Sequence, residues 1–120
     1  MRVKVYFNLH RKLFSVVSLE GEDKGRVIDY VSDLDLINCK FRVQRAGRNR
    51  VLREKKKNVH AYVTGWRTSF SEDVKKRGSI TYNPYKYSSF VDGESEEKIV
   101  AQKYCRLKVE NKRGKIFKMG

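Results

Sequence analysis

"LINCKFRV", residues 36–43, decides what kind of fold this chain can adopt. In an extended strand Ile37, Cys39, Phe41 and Val43 point to one side, and Asn38, Lys40 and Arg42 to the other. A helix would scatter the same residues around its circumference. The segment therefore predicts a strand with one buried and one solvated face, with Cys39 in the core, as antiparallel sheets require.

The neighbouring segments follow the same period. "VKVYFNL" (3–9) places Val3, Val5 and Phe7 on one side, and "LFSVVSL" (13–19) returns after the basic break "HRK" as a hairpin partner. "EGEDKG" supplies a turn before "RVIDYV", and "VHAYVTGW" (59–66) reads as a strand with Val59, Ala61 and Val63 opposite His60 and Tyr62. Further on, "KYCRLKV" (103–109) turns Cys105, Leu107 and Val109 inward, with Tyr104, Arg106 and Lys108 outward. The turn "ENKRGK", whose Gly114 suits positive φ, leads into a closing strand "IFKM".

Helix formers are concentrated in "AGRNRVLREKKKN", which predicts a helix over 46–57 resting on the sheet by Val51 and Leu52. "SFSEDVKKRGS" (69–79) reads either as a helical turn capped by Ser71 or as a loop, and "DGESEE" (92–97) as an acidic hairpin connection. The expected fold is α+β: a twisted, mostly antiparallel β-sheet curved around one or two short helices, in a single domain spanning residues 1–120.

Lys and Arg number 28 against 14 Asp and Glu, a net charge of +14. Such an excess repels itself unless an anion lies on it, and nucleic acid, a nucleotide or an anionic membrane could serve. With 39% hydrophobic and 12% aromatic residues the chain has the means to form a core rather than remain disordered. No apolar run approaches the roughly 20 residues that span a bilayer, and the amino terminus alternates where a signal peptide would be continuously apolar. The expectation is an intracellular protein with no membrane partner. Cys39 and Cys105 form no C-x-x-C pair, and His10 and His60 lack zinc-ligand spacing, so neither a disulfide framework nor a metal is expected.

Two constellations point to a ligand. On the predicted helix, Arg50, Arg53 and Lys57 follow at spacings of three and four and stack on one face as a phosphate cradle. Arg45, Arg48, Lys55 and Lys56 surround them, and Glu54 alone opposes them; the plainer reading is a solvated basic face. The second is "ITYNPYKYSSF" (80–90), where Asn83 before Pro84 must break the strand and leave Tyr82 at a kink facing a cleft. A ring beside guanidinium groups can stack a base, worth about 1–3 kcal/mol, while the cations hold its phosphates. Tyr85, Tyr87 and Phe90 read instead as sheet or subunit-interface residues, the commoner fate of such rings. The histidines in "NLHRK" and "NVHAY" sit in no nucleophile motif, and the glycine of "AGRNR" stands alone, so the expectation is a protein without catalytic residues or cofactor.

Three blocks, "VKVYFNLHRKLFSV", "RVLREKKKNVHAYVTG" and "ITYNPYKYSSFV", together resemble small phage proteins, and among these the first family of Thoeris anti-defence proteins, which act as sponges for cyclic nucleotide signals. The resemblance implies a sheet curved around short helices that binds glycocyclic ADP-ribose and releases it unmodified. It also implies assembly as a homodimer or as a hexamer built from dimers, with cyclic trinucleotides bound at separate sites in some members, acting in the cytoplasm of the infected bacterial host. Carried onto this chain, it puts the adenine-stacking ring on Tyr82, a phosphate contact on Lys57, and a basic partner in the late strand on Arg106 or Lys108. Asp92 stands where the resemblance leads one to expect an asparagine, and its carboxylate suits a ribose hydroxyl rather than a diphosphate. The expected function is therefore sequestration of the signal without cleavage, which blocks activation of the defence effector. The alternative is a basic phage nucleic-acid-binding protein, which explains the surplus charge but rests on charge and tyrosines alone, since no zinc-finger, helix-turn-helix or RNP-type pattern is present.

Overall fold

The computed structural model describes residues 1–120. Its elements are β1 (Arg2–Asn8), β2 (Leu13–Ser18), β3 (Val27–Val31), β4 (Asp33–Val43), α1 (Arg45–Glu54), β5 (Ala61–Thr68), β6 (Lys76–Thr81), β7 (Val91–Asp92), β8 (Ala101–Glu110) and β9 (Arg113–Met119). All nine strands join one open sheet in the order β3-β2-β1-β5-β4-β8-β9-β6-β7, and every neighbouring pair is antiparallel. The fold is thus a mostly antiparallel β-sheet with one short helix.

Residues 36–43 form the second half of β4, and their alternation is not clean. Leu36, Cys39 and Phe41 are buried while Ile37 is only half-buried. Ile37 lies opposite Trp66 and Lys40 opposite Thr64, so β4 uses one residue more than β5 over this stretch. Asn38 absorbs the surplus in a left-handed conformation (φ 52°), as a β-bulge requires. The bulge sits over Gly65, where a Cβ would come within 3.0 Å of the Ile37 carbonyl oxygen. Leu34 and Leu36 before the bulge, and Cys39 and Phe41 after it, therefore face the same interior.

The sheet is strongly curved. In its order β2 and β9 lie five steps apart, about 24 Å if the sheet were flat. A Cβ on Gly114 in β9 would nevertheless fall 2.8 Å from the Phe7 ring and 2.9 Å from the Phe14 ring. The two halves fold toward each other over a core of 13 buried residues that includes Val5, Val16, Leu36, Phe41, Val63 and Leu107. Between them remains an apolar hollow of about 300 Å³, with Lys115 at its lining.

Several local expectations change for physical reasons. Gly114 is needed for that close approach rather than for positive φ; the β8–β9 turn takes its left-handed residues at Asn111 and Lys112. The helix ends at Glu54 because Lys55 adopts φ 59° and donates its N–H to the Val51 carbonyl, which leaves Lys57 outside it. Val51 is buried as expected. Val59 is exposed and His60 buried, the reverse of the alternation, because β5 begins only at Ala61. Residues 71–74 form a turn, closed by the Val74 N–H to the Ser71 carbonyl, and not a second helix.

Candidate functional site

Helix α1 and the tyrosine segment, far apart in the chain, form one corner of the molecule. Arg48 directs its Nε at the carbonyls of Pro84 (3.1 Å) and Tyr87 (2.9 Å). The strand breaks at Asn83–Pro84 as expected: the Asn83 carbonyl accepts the N–H groups of Lys86 and Tyr87, and its side chain accepts that of Tyr85. Tyr85 is thereby pushed out, 56% exposed, with Lys55 Nζ 5.5 Å from its ring centroid. Tyr87 instead donates its hydroxyl to Glu96, which Lys86 also holds, so this ring ties the turn to the acidic loop.

Tyr82 is not the free ring. Its centroid lies 5.3 Å from Phe90 and 5.4 Å from His60, and its hydroxyl is 2.7 Å from His60 Nε2. His60 Nδ1 lies 2.7 Å from the Asn58 carbonyl oxygen, and a neutral ring with its proton on Nδ1 satisfies both contacts. Gly47 permits this: a Cβ there would sit 2.4 Å from His60 Cβ. Burial raises the Tyr82 hydroxyl above its ordinary pKa, with Arg48 pulling the other way.

The remaining predicted residues lie elsewhere. Arg50 and Lys57 line a small hollow of about 130 Å³ with Lys56 and Asn58, but Glu54 occupies it as well, 2.7 Å from Arg50 Nε. Arg53 lies 3.9 Å from the same carboxylate. Asp92 accepts the N–H groups of Glu94 and Ser95 and pairs with Lys118; these contacts, Lys118 first, hold its carboxyl well below the usual range. Arg106 is engaged by Asp35 through two bonds of 2.7 and 3.2 Å, which raises its pKa further. Lys108 faces Asp33 across the β4–β8 pair, in a hollow of about 270 Å³ where Asp33 and Asp35 offset two of the three charges of Arg67, Arg106 and Lys108. The seven residues thus fall into groups that do not meet: Arg50, Arg53 and Lys57 about Glu54, Arg106 and Lys108 in the hollow beside Asp33 and Asp35, and Tyr82 and Asp92 each with its own partner. The buried Cys39 and Cys105 sulfurs lie 2.8 Å apart; this contact and burial push the Cys105 thiol above its ordinary value, as in a core cysteine.

Sequence reasoning missed the outward face of the sheet. Register places Arg2, Trp66, Ile37 and Tyr104 in one transverse row and Lys4, Thr64 and Lys40 in the next, with Tyr62 opposite Arg42 beyond them. The signal was present in the alternation, since Lys40, Arg42, Tyr62 and Tyr104 all read as outward. What the sequence could not give was the strand order that lays these segments side by side.

No helix of the protein is long and apolar enough to cross a membrane. No solved structure matches the chain. The family model described as Mycobacterium phage L5 gene 82 protein matches residues 1–115. The Gene 82 protein of Mycobacterium phage L5 is 39% identical over 102 residues, which cover 80% of this chain and 81% of that protein. Both descriptions are of a phage protein, as the three sequence blocks led us to expect. The extent of these matches, nearly the whole sheet and its helix, makes the chain a member of the Mycobacterium phage L5 gene 82 protein family.

Proposed function

We propose that this phage protein binds nucleic acid, without chemical turnover, in the cytoplasm of the infected host. The observation that carries the reading is its unpaired charge. Of 28 Lys and Arg residues, seven lie within 4.0 Å of a carboxylate. The others are spread over the helix corner, the turns and the outward sheet face, a distribution that suits a polymer of phosphates better than one small diphosphate. His60, buried and held at both ring nitrogens, supports binding rather than acid–base chemistry.

Titration with a labelled oligonucleotide at two salt concentrations tests this. If about five phosphates of a single strand are held, affinity falls about a hundredfold between roughly 50 and 200 mM salt. Affinity independent of salt, or no binding, overturns the proposal.

A second reading is sequestration of a small cyclic nucleotide, as in the Thoeris anti-defence sponges. The observation favouring it is the helix corner, where Lys55 leans over the exposed ring of Tyr85 and Arg50, Lys56 and Lys57 lie close by. Here Tyr85 takes the stacking part given to Tyr82, and a homodimer or hexamer supplies the remaining walls. Calorimetry with glycocyclic ADP-ribose and with cyclic trinucleotides, followed by heating and chromatography, tests it. Salt-tolerant binding with intact ligand recovered supports this reading; absence of heat overturns it.

A further inference from the structure

Alternation fixes which side chains share the outward face, and pairing fixes their neighbours. In β1 these are Arg2, Lys4 and Tyr6; in β5, Tyr62, Thr64 and Trp66; in the second half of β4, Lys40 and Arg42. Cations and rings alternate across this face and touch. Lys4 Nζ lies 4.8 Å from the Tyr62 centroid, and the Arg2 guanidinium lies 5.7 Å from that of Trp66. The pattern extends to both sides, with Arg11 4.0 Å from the Tyr30 ring and Lys103 5.3 Å from the Tyr104 ring.

Ordinary surface design does not produce this. Trp66, the chain's one tryptophan, is 42% exposed in the middle of a sheet, where an apolar ring is better buried. None of Arg2, Lys4, Lys40 and Arg42 has a carboxylate within 4.0 Å, although 14 acidic residues are present in the chain. The face combines flat π surfaces, which accept any base, with cations at the spacing of the strands, which can follow a backbone. A duplex hides the flat faces of its bases in the stack and offers these rings nothing. An open strand exposes them.

Resting on the nucleic-acid reading above, we infer that the outward face of β1, β5 and β4 is a stacking platform for single-stranded nucleic acid. Bases lie on Trp66 and Tyr62, and phosphates lie among Arg2, Lys4, Lys40 and Arg42. Nothing in the contacts distinguishes a 2′-hydroxyl, so the ligand chemistry is a single strand of either sugar.

Trp66 makes the test direct, because its fluorescence reports stacking on that ring alone. The full chain is titrated with a short oligothymidylate, the matching oligouridylate, a duplex of the same length, and inorganic polyphosphate as a polyanion without bases. Both single strands are expected to quench Trp66 and to bind at least tenfold more tightly than the duplex, while polyphosphate leaves the emission unchanged. Quenching by one single strand only would sharpen the inference to DNA or RNA. In anisotropy, Trp66→Ala and Tyr62→Ala each lose tenfold or more toward the single strand, and Trp66→Phe, which keeps a ring, loses less. If nucleic acid binds but the single strand and the duplex are equal and the two alanine variants match the wild type, the platform is wrong while the nucleic-acid reading stands. If no nucleic acid binds, both fall. Thermal melting of each variant separates loss of the site from loss of the fold.

Discussion

On the inner face of the sheet Val5, Val63 and Phe41 lie side by side and exclude water, whereas one residue along the same strands Lys4, Thr64 and Lys40 lie side by side and carry two charges. The inner face is complete in itself. Its polar groups are matched, His60 with Tyr82 and Asp92 with Lys118, and no buried side-chain polar atom lacks a partner. On the outward side of β1 and β5 Arg2 and Lys4 rest on rings with no carboxylate within 4.0 Å, whereas on β8 Arg106 pairs with Asp35. One set of positions is answerable to packing density; under the proposed nucleic-acid reading, the other answers to a charge that comes from outside the chain.

Substitutions that separate the two faces should therefore separate stability from binding. The largest expected loss is Leu107→Ala, which opens a cavity in the core and costs about 3 kcal/mol in urea unfolding. Next is Gly114→Ala, whose methyl group would press on Phe7 and Phe14 and costs about 2 kcal/mol by the same measurement. An unchanged midpoint would mean that the two halves of the sheet are not held together at this point. Tyr82→Phe removes the hydroxyl from buried His60 and costs about 1 kcal/mol. Under the platform reading oligonucleotide affinity stays the same, and a tenfold loss would return Tyr82 to the binding site.

The two smallest effects concern charge. Asp92 has its pKa lowered by folding, so its contribution is fully present above about pH 4, the ordinary carboxylate value, and is lost as pH falls from there toward the folded value. The stability gap between wild type and Asp92→Asn should therefore narrow in denaturant titrations taken from neutral pH to well below that point; a constant gap would remove the Lys118 pairing as its cause. On the outer face, Lys40→Gln and Arg42→Gln should each leave stability within about 0.5 kcal/mol and reduce the salt dependence of single-strand binding by about 0.7 in log–log slope. A stability loss of core size would mean that the two faces are not independent.

Much of the inner face was legible because packing writes itself into alternation: Val3, Val5, Phe41, Cys105 and Leu107 fall where period two puts them. Legibility failed where one residue broke phase. Asn38 holds the bulge and hides the exchange of Ile37 for Leu36, and Lys55, not a glycine, takes the left-handed conformation that ends α1. Gly114 looked like a turn residue because a close approach across the sheet leaves no local sign. The candidate site was less legible for the same reason. Arg48 meets Pro84, and Lys4 meets Tyr62, only through pairings between segments, which no spacing within a segment encodes.

The bulge at Asn38 also bears on how such a chain can change over descent. Along β1 and β5, odd and even positions answer to different selective demands, so substitutions should accumulate in two interleaved sets. In β4 the two sets exchange phase at Asn38. Loss of that single codon would bring Leu34, Leu36, Cys39 and Phe41 into plain alternation on the same inner side, whereas loss of the codon for Asp35 or Lys40 would send a residue of one pair to the wrong side. An alignment of relatives should therefore tolerate many residues, or a gap, at the bulge and almost never a gap elsewhere in the strand.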